Sequence, residues 1–190
     1  MSSFLVGVVA MLWIVFGMSA ASKFRSGERQ RAFAESLRAL RLLPDRVLRP
    51  VSVGITCVEI GIFVGLSLSA FGLVTGVVGA PSVVIATLAV AVGLLVVMTG
   101  GIALALARGA MGTCACFGVS DQPLSRRHVV RNGLLLLVAL SGVAVANDIP
   151  PGDVDPLGVA LAGVVGAVVA FILIRLDDLI DLFAPVNRVS

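Results

Sequence analysis

SVVIATLAVAVGLLVVMTGGIALALA, residues 82–107, runs without a charged side chain until Arg108 interrupts it. A helix crossing the hydrocarbon core of a bilayer needs about 20 predominantly apolar residues, and this stretch supplies them. Four comparable runs accompany it: Phe4 to Ala21, Val51 to Gly72, Val129 to Ala146 and Leu157 to Ile174. With 58% hydrophobic and 13% charged residues and a mean hydropathy of +1.10, the chain has too little polar surface to coat a soluble globule. The sequence therefore predicts an all-α polytopic membrane helix bundle of about five transmembrane helices. It forms one transmembrane domain over 1–190, with a short polar tail at 175–190, and its core is made by helices packing on one another.

The first run resembles a signal peptide, since Ser19-Ala20-Ala21 is small enough for a cleavage site. It lacks a charged n-region, a dense basic stretch follows at once, and it is long enough to span, so it reads as a retained first helix.

Between the first two runs, Lys23 to Pro50 holds Lys23, Arg25, Arg29, Arg31, Arg38, Arg41, Arg46 and Arg49 against Glu28, Glu35 and Asp45. Phe33, Leu37, Leu40 and Leu43 recur there at helical spacing, while Glu28, Arg31, Glu35 and Arg38 lie on another face as i,i+3 and i,i+4 pairs. The pattern predicts a juxtamembrane amphipathic helix lying on the membrane surface and ended by Pro44.

Charge is distributed unevenly along the chain. The turn at Gly76, Gly79 and Pro81 is uncharged, and the turn from Asn147 to Pro156 carries only Asp148, Asp153 and Asp155. Arg108, Arg126, Arg127, Arg131, Arg175 and Arg188 share the opposite side with the first loop, which accounts for all 14 Lys and Arg. The positive-inside rule then predicts a cell-membrane protein with its N-terminus outside and its C-terminus in the cytoplasm. Small residues mark expected helix contacts: Gly158, Ala162, Gly166 and Ala170 on the last helix, and Gly61, Gly65 and Ser69, in line with Cys57, on the second.

The most evident chemistry sits in Arg108-Gly109-Ala110-Met111-Gly112-Thr113-Cys114-Ala115-Cys116-Phe117-Gly118. A disulfide between residues two apart closes a small strained ring, and strained disulfides are the labile, exchanging kind. Arg108 and Arg126 nearby favour the thiolate. Two other readings compete. Small buried cysteines at a helix end are common, and the thiols with His128, Met111 or Cys57 could begin a zinc or copper site, although no compact second ligand pair is present. With three cysteines in all, no disulfide framework exists.

Glu59 is the one acid inside an apolar run. A carboxylate at such a place costs a few kcal/mol unless paired or protonated, so it is a candidate for proton handling or for a structural pair with a basic residue such as Arg108. Cys57 is two residues away and so about 200° round the helix, which makes it a small packing residue rather than a third redox thiol. Alternation of the spans brings Glu59, Lys23, the cysteine loop, Arg131 and Asn132 to one membrane face. His128 shares that face, where a lone histidine at a helix start is expected to be solvated.

Ala21-Ser22-Lys23-Phe24-Arg25, Phe33, Leu40, Pro44, Glu59, Arg108-Gly109, Cys114-Ala115-Cys116-Phe117-Gly118 and Arg131-Asn132 together resemble the signature of the methylamine utilisation protein MauE family, within the wider MauE/DoxX membrane proteins. The resemblance covers about residues 4–146, and Ala115 stands where that family usually has glycine. It implies a component of thiol-disulfide oxidoreduction that works with a thioredoxin-like redox protein on disulfides of an exported client. Catalytic roles are expected for Cys114, Cys116 and Glu59, with Lys23, Arg108 and Asn132 supporting. No cofactor, metal or nucleic-acid partner is expected; membrane lipid is, and a homo-oligomer stays open. The charge rule places the cysteine loop in the cytoplasm, whereas exported disulfides are made outside. An electron relay or an inverted insertion would reconcile the two, and the arginine count favours the first topology. Rival readings are a small transporter or channel coupled through Glu59, and a non-catalytic assembly subunit.

Overall fold

The computed structural model describes residues 2–24, 27–39, 44–75, 80–109, 125–146 and 155–176. Cys114 and Cys116, Leu40 and Leu43, the turns about Gly76 and Asp148, and the tail from 177 onward lie outside the described residues. Among those described are six helices and no strand: α1 (Ser2–Phe24), α2 (Gly27–Ala39), α3 (Asp45–Thr75), α4 (Ala80–Ala107), α5 (Arg126–Ala146) and α6 (Pro156–Ile174). All but α2 are long and apolar enough to cross a membrane. The chain is a multi-pass membrane protein of the all-α class.

Helix α1 is the axis of the bundle, packing against α2, α3, α5 and α6, while α4 closes the bundle between α3 and α5. Leu5, Val9, Leu12 and Val15 of α1 meet Ile62 and Leu66 of α3, Leu88 of α4 and Leu135 of α5 in one buried core. Val97, Leu137, Leu161 and Phe171 point outward, a surface suited to acyl chains rather than water. Two contacts set the antiparallel register of α1 and α3. The Trp13 ring stacks on Phe63 with centroids 5.1 Å apart, and Trp13 Nε1 donates to Ser67 Oγ at 2.8 Å. In the same register, Lys23 meets Glu59.

The small-residue stripe on α6 is a contact surface, as its spacing predicts. A Cβ on Gly166 would lie 2.5 Å from the Gly7 carbonyl oxygen, so α1 and α6 touch backbone to backbone there. On α3 the expectation holds only in part. Gly65 faces Thr87 of α4 and Ser69 is buried, but a Cβ on Gly61 would meet nothing and Cys57 is exposed. Steps of four residues advance about 40° round a helix, so this stripe rotates from the outer surface at Cys57 to the α4 interface at Gly65. Cys57 is therefore not a packing residue within the chain.

The sequence starts the second span at Val51, yet α3 begins at Asp45 and runs for 31 residues, continuing through Pro50. Proline deletes one backbone hydrogen bond and breaks the apolar pattern, which is why the extension is hidden in the sequence. Contacts with α2 sustain it. Leu48 joins Phe33 and Leu37 in a buried cluster, Arg38 Nε donates to Asp45 Oδ1 at 2.8 Å, and Gln30 Oε1 lies 3.2 Å from Thr56 Oγ1. The apolar face of α2 is thus spent on the protein itself. This corrects the expectation of a helix resting that face on the membrane: a helical stripe of Phe33 and Leu37 fits either surface, and α3 is the nearer one.

Candidate functional site

Residues 19 and 23 lie one turn apart near the end of α1 and so share a face. Opposite them on α3 stands Glu59, whose carboxylate receives Lys23 Nζ at 2.6 Å on one oxygen and 2.7 Å on the other. Ser19 Oγ donates to Glu59 Oε1 at 3.0 Å and accepts from Lys23 Nζ at 3.3 Å. Both charged side chains are almost fully withdrawn from solvent, at 2% and 5% exposure. Phe33 of α2 covers the group, its ring centroid 4.1 Å from Lys23 Nζ, a cation–π contact adding about 1–2 kcal/mol when desolvated. Three helices therefore contribute to one buried charged cluster. Its members are mutually dependent, because a buried charge that loses its partner costs about 3–5 kcal/mol.

Beside this cluster the amino-terminal end of α5 buries His128, Arg131 and Asn132. Gly142 lies against Val8, and Leu135 lines a small recess with Val15, so α1 and α5 run antiparallel. One further turn carries Asn132 to the depth of Ser19. The Asn132 Oδ1 atom is buried with no hydrogen-bond partner among the described residues. Contrary to the expected solvated position, His128 is only 2% exposed, with Nδ1 3.2 Å from Ser125 Oγ. It shares the inward face of α5 with Asn132 and Leu135, and that burial is legible only once the face is known.

Of the expected site residues, the structure brings Lys23 and Glu59 into contact and sets Asn132 at neighbouring depth. Arg108 does not join them. It is exposed at the end of α4, and the cation paired with Glu59 is Lys23 instead. Just after it, Gly109 adopts φ +68, a left-handed turn that glycine makes without strain. From there the chain leaves α4 for the cysteine segment, which joins α4 to α5. Sequence reasoning passed over Ser19 and gave Phe33 no part in the site. The i,i+4 relation of Ser19 to Lys23 was the available signal for the first. Phe33 as the cover of an ammonium group had none, since the contact depends on how α2 folds back.

Among the described residues, no three side chains of His, Cys, Asp or Glu cluster as metal ligands would. With its charges paired and shielded, the buried group can fix the ends of α1, α2 and α3 together. Both oxygens of Glu59 meet Lys23 Nζ, so the acid stands as one half of a buried pair.

A family model described as methylamine utilisation protein MauE matches residues 1–145. The chain belongs to the MauE family. That match spans α1 to α5 and includes Lys23, Glu59, Asn132 and both loop cysteines. No curated protein and no solved structure matches the chain. Membership in MauE and the five apolar helices agree on a multi-pass membrane protein of the kind associated with methylamine utilisation.

Proposed function

We propose that this MauE-family protein exchanges a disulfide with a thioredoxin-like partner through Cys114 and Cys116, in support of the maturation of an exported protein. The observation that carries the reading is the Cys114-Ala115-Cys116 pair on the segment joining α4 to α5. The described residues on either side of it, Gly109 and Ser125, lie at the end of the bundle where Lys23 and Glu59 are buried. A thiolate of the pair attacks one sulfur of the partner's disulfide, breaking its S–S bond and releasing the second partner sulfur as a thiolate. The resulting mixed disulfide is resolved when the other loop cysteine, as thiolate, attacks its own neighbour's sulfur. Two electrons pass to the partner, which ends as a dithiol, and the loop pair ends as a disulfide. The reverse sequence reduces the pair.

Lys23, Glu59 and Ser19 act as positioning residues, tying the end of α1 to α3. Arg108 and Arg126 supply positive charge that favours the attacking thiolate. The distribution of all 14 basic residues supports a cytoplasmic loop and an external N-terminus. Cys57 lies on the same side of the bundle, so carrying electrons to an external client falls to another protein. Methylamine utilisation is the setting that family membership suggests. A non-catalytic assembly role and transport through Glu59 are the alternatives, and the pairing of Glu59 with Lys23 weighs against the second.

The test is trapping in cells. Either single variant, Cys114→Ser or Cys116→Ser, should accumulate a mixed disulfide with a partner, and the double variant should trap none. Equal complementation by wild type and the double variant would end the proposal.

A further inference from the structure

Helices α2 and α3 enclose an open groove of about 480 Å³ on the overhanging part of α3. Its depth in the membrane follows from helix geometry. The apolar span of α3 ends at Leu73, and the roughly 20 residues that fill a hydrocarbon core reach back from there to about Val53. The residues from Asp45 to Ser52 then rise roughly 12 Å further at 1.5 Å each, through a headgroup layer some 5–8 Å thick. Val53 and Ser52 line the groove at the edge of the hydrocarbon, Arg49 and Leu48 line it among the headgroups, and Asp45 stands just above them.

The walls carry Arg31 and Arg38 from α2 and Arg49 from α3, against Glu35 and Asp45. Arg38 is taken by Asp45 at 2.8 Å. Gln30 Nε2 reaches Ser52 Oγ at 3.5 Å, a contact that sets Arg31 and Arg49 on opposite walls within about a turn in depth. Neither of these arginines makes an ion pair with a described residue, and both are exposed. Three guanidinium groups against two carboxylates leave the groove at +1, which one phosphodiester neutralises. Guanidinium groups on facing walls suit the paired oxygens of a phosphate, each contact being a charge-assisted hydrogen bond. Ala34, Leu48 and Val53 supply apolar wall next to the charges.

We infer that this groove is a binding site for the headgroup of an anionic phospholipid, phosphate between Arg31 and Arg49, with the glycerol and first acyl carbons against Ala34 and Val53. Anionic lipid is concentrated by basic juxtamembrane segments in general. Here the two-walled groove converts that attraction into a site for a single molecule. It makes no use of the loop cysteines and stands whether or not they exchange disulfides.

The experiment is native mass spectrometry of the detergent-purified full chain titrated with phosphatidylglycerol or phosphatidylcholine of matched acyl chains. Wild type should retain one phosphatidylglycerol at least tenfold more tightly than phosphatidylcholine. Arg31→Gln with Arg49→Gln should abolish that preference. Arg29→Gln with Arg46→Gln removes equal charge from the same helices outside the groove and should leave it within about twofold. Ala34→Trp fills the groove without altering charge and should also remove the bound lipid, while melting in detergent shows that each variant is folded. Equal losses in the two double variants, retention in Ala34→Trp, or displacement of the lipid by millimolar glycerol phosphate would overturn the inference.

Discussion

Replacing Lys23 by methionine keeps a side chain of similar reach and removes its charge, leaving the Glu59 carboxylate buried with Ser19 as its remaining hydrogen-bond donor. At the observed 2.6 and 2.7 Å, the gross attraction at an effective dielectric of 20 is about 6 kcal/mol. Most of that offsets the loss of hydration on burial, so the pair as a whole contributes little compared with an apolar pair of equal volume. Breaking it on one side is different. Lys23→Met and Glu59→Leu should each destabilise the protein by about 3–5 kcal/mol. The double variant leaves no unpaired charge and should lose no more than either single variant, so the losses should be far from additive. Unfolding by added SDS in mixed micelles, followed through the fluorescence of the single Trp13, measures all four corners of the cycle. Additive losses, or single variants within about 0.5 kcal/mol of wild type, would refute the claim that these charges are a mutually dependent buried pair.

Further outcomes follow from particular contacts. Gly166→Ala should destabilise by about 1–3 kcal/mol, because its Cβ would meet backbone at 2.5 Å; Gly61→Ala, which faces open space, should be neutral or slightly stabilising in the same unfolding assay. Phe33→Leu keeps the apolar contact with Leu37 and Leu48 but deletes the ring over Lys23, and should cost about 1–2 kcal/mol in wild type and measurably less in Lys23→Met. Asp155 accepts from the backbone of Leu157 and Gly158 at the start of α6, so Asp155→Ala should cost about 1 kcal/mol, read as a lower SDS midpoint.

The five spans were legible because a bilayer imposes a length and a polarity that composition alone satisfies. Their ends were not equally legible. Pro50 marks the end of the apolar pattern of α3 but not the end of its helix, since Leu48 and Asp45 are held by α2 and only the tertiary structure shows it. Glu59 stood out as an acid where acids are costly, and Lys23 stood among its expected neighbours, but Arg108 was an equally good partner by sequence. Arg108 and Lys23 lie at the same membrane face, and the rotation of each helix, which sequence fixes only loosely, decides which of them reaches the carboxylate. The same freedom hid the burial of His128 and the exposure of Cys57. The stripe on α6 was legible because it is regular over its whole length and meets another small residue, Gly7.

Alkylation of the loop thiols reads both the face of the membrane on which they lie and their redox state. In a Cys57→Ser background, which removes the one other thiol, intact cells would be treated with a membrane-impermeant maleimide and then permeabilised, with and without prior reduction. No labelling of Cys114 and Cys116 is expected in intact cells. After permeabilisation the expected outcome is partial labelling, rising to two labels per chain once the disulfide is reduced. Labelling in intact cells would invert the topology, and two labels per chain without any reduction, under every growth condition, would contradict an exchanging pair.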